Sequence, residues 1–275
     1  MKVPPHNVAS LERALRRISG SDASAVRMRT TIANVVAGQF LEGAVMRGGG
    51  ALKLRYGDGT TRFTMDFDAC RSVPEDEFVT AYSRKMTEGW AGFSGRLVML
   101  SKAHPRNVPQ EYVMRPFEVK LTYRGHPWCT VDLEVTYNEI GDADEADMST
   151  FPDDILSLFR ELGFPEPCPV PLMRIPYQIA QKLHGVTDTR SPRVQDLIDL
   201  QLMADRENID YRETNAICRR LFANRRLQSW PASVEPSTQW PSAYEAQRRG
   251  LPSLRSLDEA VKWVNEFILA IAEEG

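Results

Sequence analysis

The sequence predicts a mixed α/β protein: a mixed β-sheet flanked by helices, followed by a mostly α-helical second half. Three observations predict it. Period-two alternation runs through "RFTMDFDA", "GRLVMLSK", "YVMRPFEVKLTYR" and "WCTVDLEVTY", all before residue 138. Helical periodicity dominates after residue 150, in "DDILSLFREL", "PYQIAQKLHGV", "RVQDLIDLQLMA" and "YRETNAICRRLFAN". Between the two lies the proline-rich "GFPEPCPVPLMRIP", which can continue neither a helix nor a central strand and is the best linker candidate. The expected division is a first domain over residues 1–165 and a helical domain over 166–275.

The elements follow in order. "ASLERALRRIS" and "DASAVRMRTTIANVVAGQFLEG" have helical apolar spacing with Ser or Asp available as caps, so two N-terminal helices are expected. A short apolar run "AVM", the glycines 48–50, a helix-like "ALKLRY", a "GDG" turn and the strand "RFTMDFDA" then form a strand, turn, helix, turn, strand unit. Residues 75–88 are helical in period. "SWPASVEPSTQWPSAY" at 229–244 reads as a surface loop, and "SLDEAVKWVNEFILAIAEE" as a closing helix with a continuous apolar stripe.

Composition narrows the function classes. With 275 residues, 42% hydrophobic and 26% charged, the chain is an ordinary globular one of one or two domains. No apolar run approaches the length of a membrane span and the N-terminus lacks a secretory core, so a cytoplasmic protein with no membrane contact is expected. Four scattered cysteines and four unclustered histidines fit neither a zinc site nor a disulfide framework. The formal charge of -3 excludes a uniformly basic nucleic-acid coat, but basic pairs recur at Arg219/Arg220 and Arg225/Arg226.

Asp66 and Asp68 stand two apart in "RFTMDFDA". On a strand both carboxylates face one side, with Met65 and Phe67 on the other. Two like charges that close repel, so the pair is either a solvated strand edge or a site for a divalent cation. The glycines Gly48, Gly49 and Gly50 form either a tight turn or, entering a helix, a cradle of backbone N–H groups at the positive end of the helix dipole, which suits phosphate. Taken together, the two features place a metal site beside a phosphate site. The glycines match neither a P-loop nor a dinucleotide fingerprint.

The run "VMRGGGALKLRYGDGTTRFTMDFDA" resembles the first motif of the AbiEii/AbiGii nucleotidyltransferase toxin family, a glycine pair before a helix and then a strand carrying Thr64, Asp66 and Asp68. "IAQKLHGVTDTRSPRVQDLIDLQ" resembles its second motif through Lys182, His184, Arg190, Asp196 and Asp199. Two departures stand out: Gly50 where a hydroxyl is common, and Gln195 where a basic residue often precedes the first aspartate of the second motif.

The resemblance implies a nucleotidyltransferase-like fold in the polymerase-β-like superfamily, with Mg²⁺ or Mn²⁺ and a nucleoside triphosphate (NTP). Asp66 and Asp68 are the implied metal ligands, and Gly48–Gly50 and Thr64 the implied nucleotide contacts. "CTVDLEVTY" offers Asp132 and Glu134 on one strand face as a third acid, or else a solvated strand side. Glu134 is favoured because it precedes a hydrophobic and a small polar residue, as in the family. Lys182 is implied to neutralise the triphosphate and Asp196 to take a catalytic, base-like role, with Asp199, His184 and Arg190 in support. Asp196 also fits a helix-start cap, and His184 an interior histidine.

The implied activity is transfer of a nucleoside monophosphate to RNA, with the tRNA 3′ end as acceptor and translation blocked, in a type IV toxin–antitoxin or phage-exclusion setting with a cognate antitoxin. The alternatives are a catalytically silent binding module and a protein-modifying nucleotidyltransferase. Neither a kinase glycine loop nor a His-Arg-Asp loop is present to support protein phosphorylation.

Overall fold

The computed structural model describes residues 2–101, 113–190, 193–251 and 255–274. Residues 102 and 112, at the ends of two expected strands, lie outside them. The chain forms two compact units, Met1–Gly59 with Phe63–Met173, and Thr60–Arg62 with Arg174–Gly275.

In the first unit, α1 (Val8–Ser19) opens on a capping box between Asn7 and Ser10 and closes at Gly20 in the left-handed region. α2 (Asp22–Gln39) follows, capped by Ser21. Then come β1 (Ala44–Arg47), α3 (Gly48–Tyr56), β2 (Phe67–Arg71), α4 (Glu75–Glu88), β3 (Phe93–Met99), β4 (Arg115–Tyr123), β5 (His126–Tyr137), β6 (Ala146–Asp147), α5 (Asp153–Leu162) and β7 (Leu172–Met173).

The strands form one mixed sheet in the order β3-β4-β5-β2-β1-β7-β6. β2 runs parallel to β5 and antiparallel to β1. Along β5, Val131, Leu133 and Val135 are buried while Thr130, Asp132 and Glu134 are exposed, the alternation of a half-buried strand. The buried side packs Phe67, Phe117, Val119 and Leu133 with Tyr82 of α4 and Phe159 of α5 in one hydrophobic cluster. Each such side chain contributes roughly 1.5–3 kcal/mol of burial free energy.

Two expectations are corrected here. The strand holding both aspartates begins at Phe67, so Asp66 lies just before it and only Asp68 within it. Phe67 is fully buried whereas Met65 is 62% exposed, so the two do not share an inward face. Residues 62–66 leave the ladder because their polar groups are satisfied locally: the Lys53 ammonium donates to the Thr64 carbonyl (2.9 Å), and the Asp66 N–H donates to Thr64 Oγ1 (3.3 Å). The proline-rich stretch, in turn, is more than a linker. The Met46 N–H donates to the Pro171 carbonyl (2.7 Å), and Leu172–Met173 sits between β1 and β6 in the sheet. Proline lacks a donor, but its carbonyl and the two residues after Pro171 pair normally.

The second unit consists of α6 (Ile175–Val186), α7 (Gln195–Arg206), α8 (Tyr211–Arg225), α9 (Trp240–Arg248) and α10 (Leu257–Glu273). Ile179, Leu183, Leu197, Leu200, Leu221, Val264 and Ile268 are buried. α10 opens on a Ser256–Glu259 capping box. The stretch expected as loop over 229–244 ends in a helix: Pro241 lies in the first turn of α9, where its fixed φ favours helix initiation, and Trp240 and Tyr244 are buried.

Candidate active site

β1 runs directly into α3, and the turn between them is built on glycine. Gly48 has φ of 71°, a left-handed conformation open to glycine without strain. A side chain there would also collide with the Asp68 carboxylate, which fills the space a Cβ would take. A Cβ on Gly50 would stand 2.9 Å from the Asp66 carbonyl oxygen and 2.6 Å from Met46 Cε. The missing hydroxyl at position 50 therefore has a steric cause: the backbone of Asp66 occupies its place. Gly49 and Gly50 are buried in the first turn of α3, whose cap residue Arg47 makes no side-chain capping bond.

The acids gather on the sheet face opposite the core. Asp68 is the register partner of Glu134 across the parallel β2–β5 pair, and of Arg47 across the antiparallel β1–β2 pair. Register partners point to the same side, so Asp68, Glu134 and Arg47 share one face, and Asp132 joins it by alternation along β5. Asp132 pairs with Glu118 of β4, while Glu134 faces Pro116 there. Although Glu134 is exposed as a residue, its carboxyl is partly desolvated on the sheet, and this, reinforced by the charges of Asp68 and Asp66, pushes it above the usual glutamate range; Arg47 pulls the other way and Asp132 adds a smaller upward push. Asp66 is anchored by Thr64, whose hydroxyl lies 3.3 Å from Asp66 Oδ2.

Among the described residues, no three His, Cys, Asp or Glu side chains already stand in a metal-holding arrangement. The donor set nonetheless fits a hard divalent cation: it is all carboxylate oxygen, and its mutual repulsion is what a cation would relieve. Cys70, two residues past Asp68, is no nucleophile at neutral pH, since burial and Asp142 push its thiol up to about 12.

The second motif forms a buried ion network within the second unit. Lys182 is 3% exposed, and its ammonium lies 3.1 Å from Asp196 Oδ1 and 2.7 Å from Asp199 Oδ2. Asp196 and Asp199 sit three apart on α7 and so face Lys182 of α6 together. Arg62 grips Asp199 through two bonds of 2.9 and 3.0 Å, and Arg193 grips Asp196 at 2.7 Å. A Cβ on Gly185 would stand 2.9 Å from Asp196 Oδ2, so glycine there leaves room for that pair.

The remaining candidates lie elsewhere. The ring of His184 packs edge-on against Phe222 at 4.9 Å and lies near the Arg225 guanidinium. Arg190 pairs with Asp188 and is two-thirds exposed. Sequence reasoning missed Arg62, Arg193 and Lys53. Arg193 had a signal in its spacing of three from Asp196. Lys53, fully buried, gave none: within "ALKLRY" it is one more helix former.

Comparison with curated protein sequences gives no match. The fold is similar to MenT4, a nucleotidyltransferase toxin from Mycobacterium tuberculosis, at 20% identity and a TM-score of 0.57, over 95% of this chain and 98% of that one. JHP933 from Helicobacter pylori aligns over 92% of this chain and 94% of its own, at 14% identity and a TM-score of 0.45. Residues 32–266 match the family model described as nucleotidyl transferase AbiEii toxin, type IV toxin–antitoxin system. The chain belongs to the AbiEii nucleotidyltransferase toxin family.

Proposed function

We propose that this protein transfers a nucleoside monophosphate from an NTP to an RNA hydroxyl, with the tRNA 3′ end as acceptor and arrest of translation as the consequence. The observation that carries the reading is the lateral pairing of Asp68 with Glu134, beside Asp66 and at the mouth of a glycine-built helix start. In the reaction, the acceptor hydroxyl oxygen forms a bond to the α-phosphorus, the bond to the bridging oxygen breaks, and pyrophosphate leaves as the hydroxyl proton is given up.

Asp66, Asp68 and Glu134 would hold Mg²⁺ or Mn²⁺, with Asp132 at the margin; such ions neutralise phosphate charge and make a hydroxyl a better nucleophile. Backbone N–H groups of Gly48–Gly50 and the positive end of α3 favour the triphosphate's negative charge. Thr64 fixes the Asp66 carboxylate, and Lys53 fixes the loop that carries both. On the family pattern alone, Lys182 is assigned to triphosphate charge and Asp196 to a base-like role; within their own unit, Asp199, Arg62 and Arg193 hold them in place.

A cognate antitoxin is the expected partner. Among the described residues no helix is long and apolar enough to cross a membrane.

The test is incubation of the purified chain with Mg²⁺, each labelled NTP in turn and total RNA. Label in tRNA is the expected result, lost on Asp66→Ala together with toxicity in cells. Label in polypeptide alone identifies a protein-modifying enzyme, and no label with no growth effect identifies a silent binding module; either outcome overturns the proposal.

A further inference from the structure

The second unit carries a groove of about 520 Å³ lined by Arg219, Phe222, Arg226, Gln228, Ser229 and Trp230 among others, and we propose that it binds a short single-stranded segment of RNA. The proposal deepens the transferase reading by giving the acceptor a docking surface, and rests on it only for what the RNA is for.

Charge is the first argument. From Thr214 to Val234 the chain contains four arginines and neither aspartate nor glutamate, in a protein whose formal charge is -3. Arg219, Phe222 and Ala223 follow the spacing of one face of α8, and Arg226, the left-handed residue that caps the helix C-terminus, lines the same groove, so two arginines stand on it together with an aromatic floor. Arg226 also opposes the negative end of the α8 dipole, which would otherwise repel phosphate.

The second argument is preorganisation. Asn215 is 1% exposed, and its Oδ1 accepts from Trp230 Nε1 (2.8 Å) and from Arg219 Nε (3.3 Å), while its Nδ2 donates to the Ala272 carbonyl (3.3 Å). One buried amide thus fixes an aromatic ring and a cation on the same groove. The Trp230 ring is itself backed by Phe222 at 5.1 Å.

Guanidinia for phosphates, a braced indole for a base and the Ser229 hydroxyl for a polar edge make a set suited to unpaired nucleotides, whose bases are free to stack; the Gln228 amide braces the rim instead, donating to the His184 carbonyl (2.7 Å) and to Thr187 Oγ1 (2.8 Å). A pocket elsewhere in the unit, where Glu207, Asp210 and Glu274 outnumber Arg212, has the wrong sign of charge for phosphate.

The experiment measures binding of the full-length chain to a short single-stranded RNA across a salt series, without NTP. Arg219 and Arg226 are exposed, so the Arg219→Gln/Arg226→Gln pair should leave folding intact. The expected result is at least a tenfold loss of affinity and a salt slope shallower by about 0.7 per phosphate contact removed. Arg16→Gln/Arg17→Gln on α1, an equal charge change, should leave both near wild type. Trp230→Leu should weaken binding without changing the slope.

Equal losses from both arginine pairs would mean non-specific charge attraction, and no loss from the groove pair would mean that RNA binds elsewhere; either overturns the proposal, as does a wild-type chain that binds no RNA. A chain that labels RNA yet is indifferent to the groove pair sinks the groove and leaves the transferase. One that binds RNA through the groove and labels none sinks the transferase and leaves the groove.

Discussion

Asp68 and Glu134 stand side by side as register partners on parallel strands, with Asp66 two residues ahead of Asp68 at the strand's mouth. Like charges directly opposite one another on a sheet cost about 0.2–1 kcal/mol. This cost is retained on the face away from the core, where a polar uncharged pair would fold at least as well.

Glu134→Gln should therefore stabilise the metal-free protein by a similar amount while abolishing nucleotide transfer. The sign follows from linkage. The folded Glu134 carboxyl titrates above its unfolded value, so its contribution is fully present below the ordinary glutamate range and is lost as pH rises through the folded pKa. The stability gap between Glu134→Gln and wild type should grow with pH in chelator. Mg²⁺ should then raise the wild-type melting temperature and leave that of the variant nearly unmoved.

Arg62 and Asp199 make a second relationship with a measurable consequence. Burial alone would raise the Asp199 carboxyl, but Lys182 and Arg62 overrule it and hold it below the usual aspartate range. A depressed carboxylate contributes stability above its unfolded pKa that is lost as pH falls through the folded one. Arg62→Gln should cost roughly 1–3 kcal/mol near neutral pH and move the acid unfolding transition to higher pH, as followed by urea melts across the acid range. Asp199→Asn, which leaves Lys182 and Arg62 with one buried carboxylate fewer, should cost more, about 3–5 kcal/mol.

Gly50→Ser restores the hydroxyl common in the family, yet it should impair this protein. Its Cβ would press on the Asp66 carbonyl at 2.9 Å, and crowding of that kind costs about 1–3 kcal/mol. A lower melting temperature together with a weaker response to Mg²⁺ is expected; improved transfer would show that the backbone of Asp66 yields without harm.

Arg190→Ala serves as a contrast. Its guanidinium is exposed and bonds only to the neighbouring Asp188 among the described contacts. Stability should stay within about 0.5 kcal/mol of wild type, read by denaturant melts.

Much of this was legible in the sequence where one physical rule acted alone. The helices of the second unit and the strands with clean alternation follow from periodicity, and the Asp132 and Glu134 side chains share a face because a strand repeats every two residues; that Asp68 stands beside Glu134 depends on the β2–β5 register, which no local pattern encodes. What escaped depended on competition between rules. Asp66 left the strand because Thr64 and Lys53 offered its segment other hydrogen bonds, and α9 opened with Pro241 in its first turn in a stretch otherwise rich in loop residues. Arg62 was invisible as a partner of Asp199 because 137 residues separate them and no local pattern encodes the pairing.

The most direct test of the central claim is Mn²⁺ binding followed by electron paramagnetic resonance in the presence of a non-hydrolysable NTP. Wild type should bind the ion, with affinity falling at least tenfold in both Asp68→Asn and Glu134→Gln. Undiminished Mn²⁺ binding by those two variants, with their fold intact, would contradict the assignment of this carboxylate face as the catalytic centre.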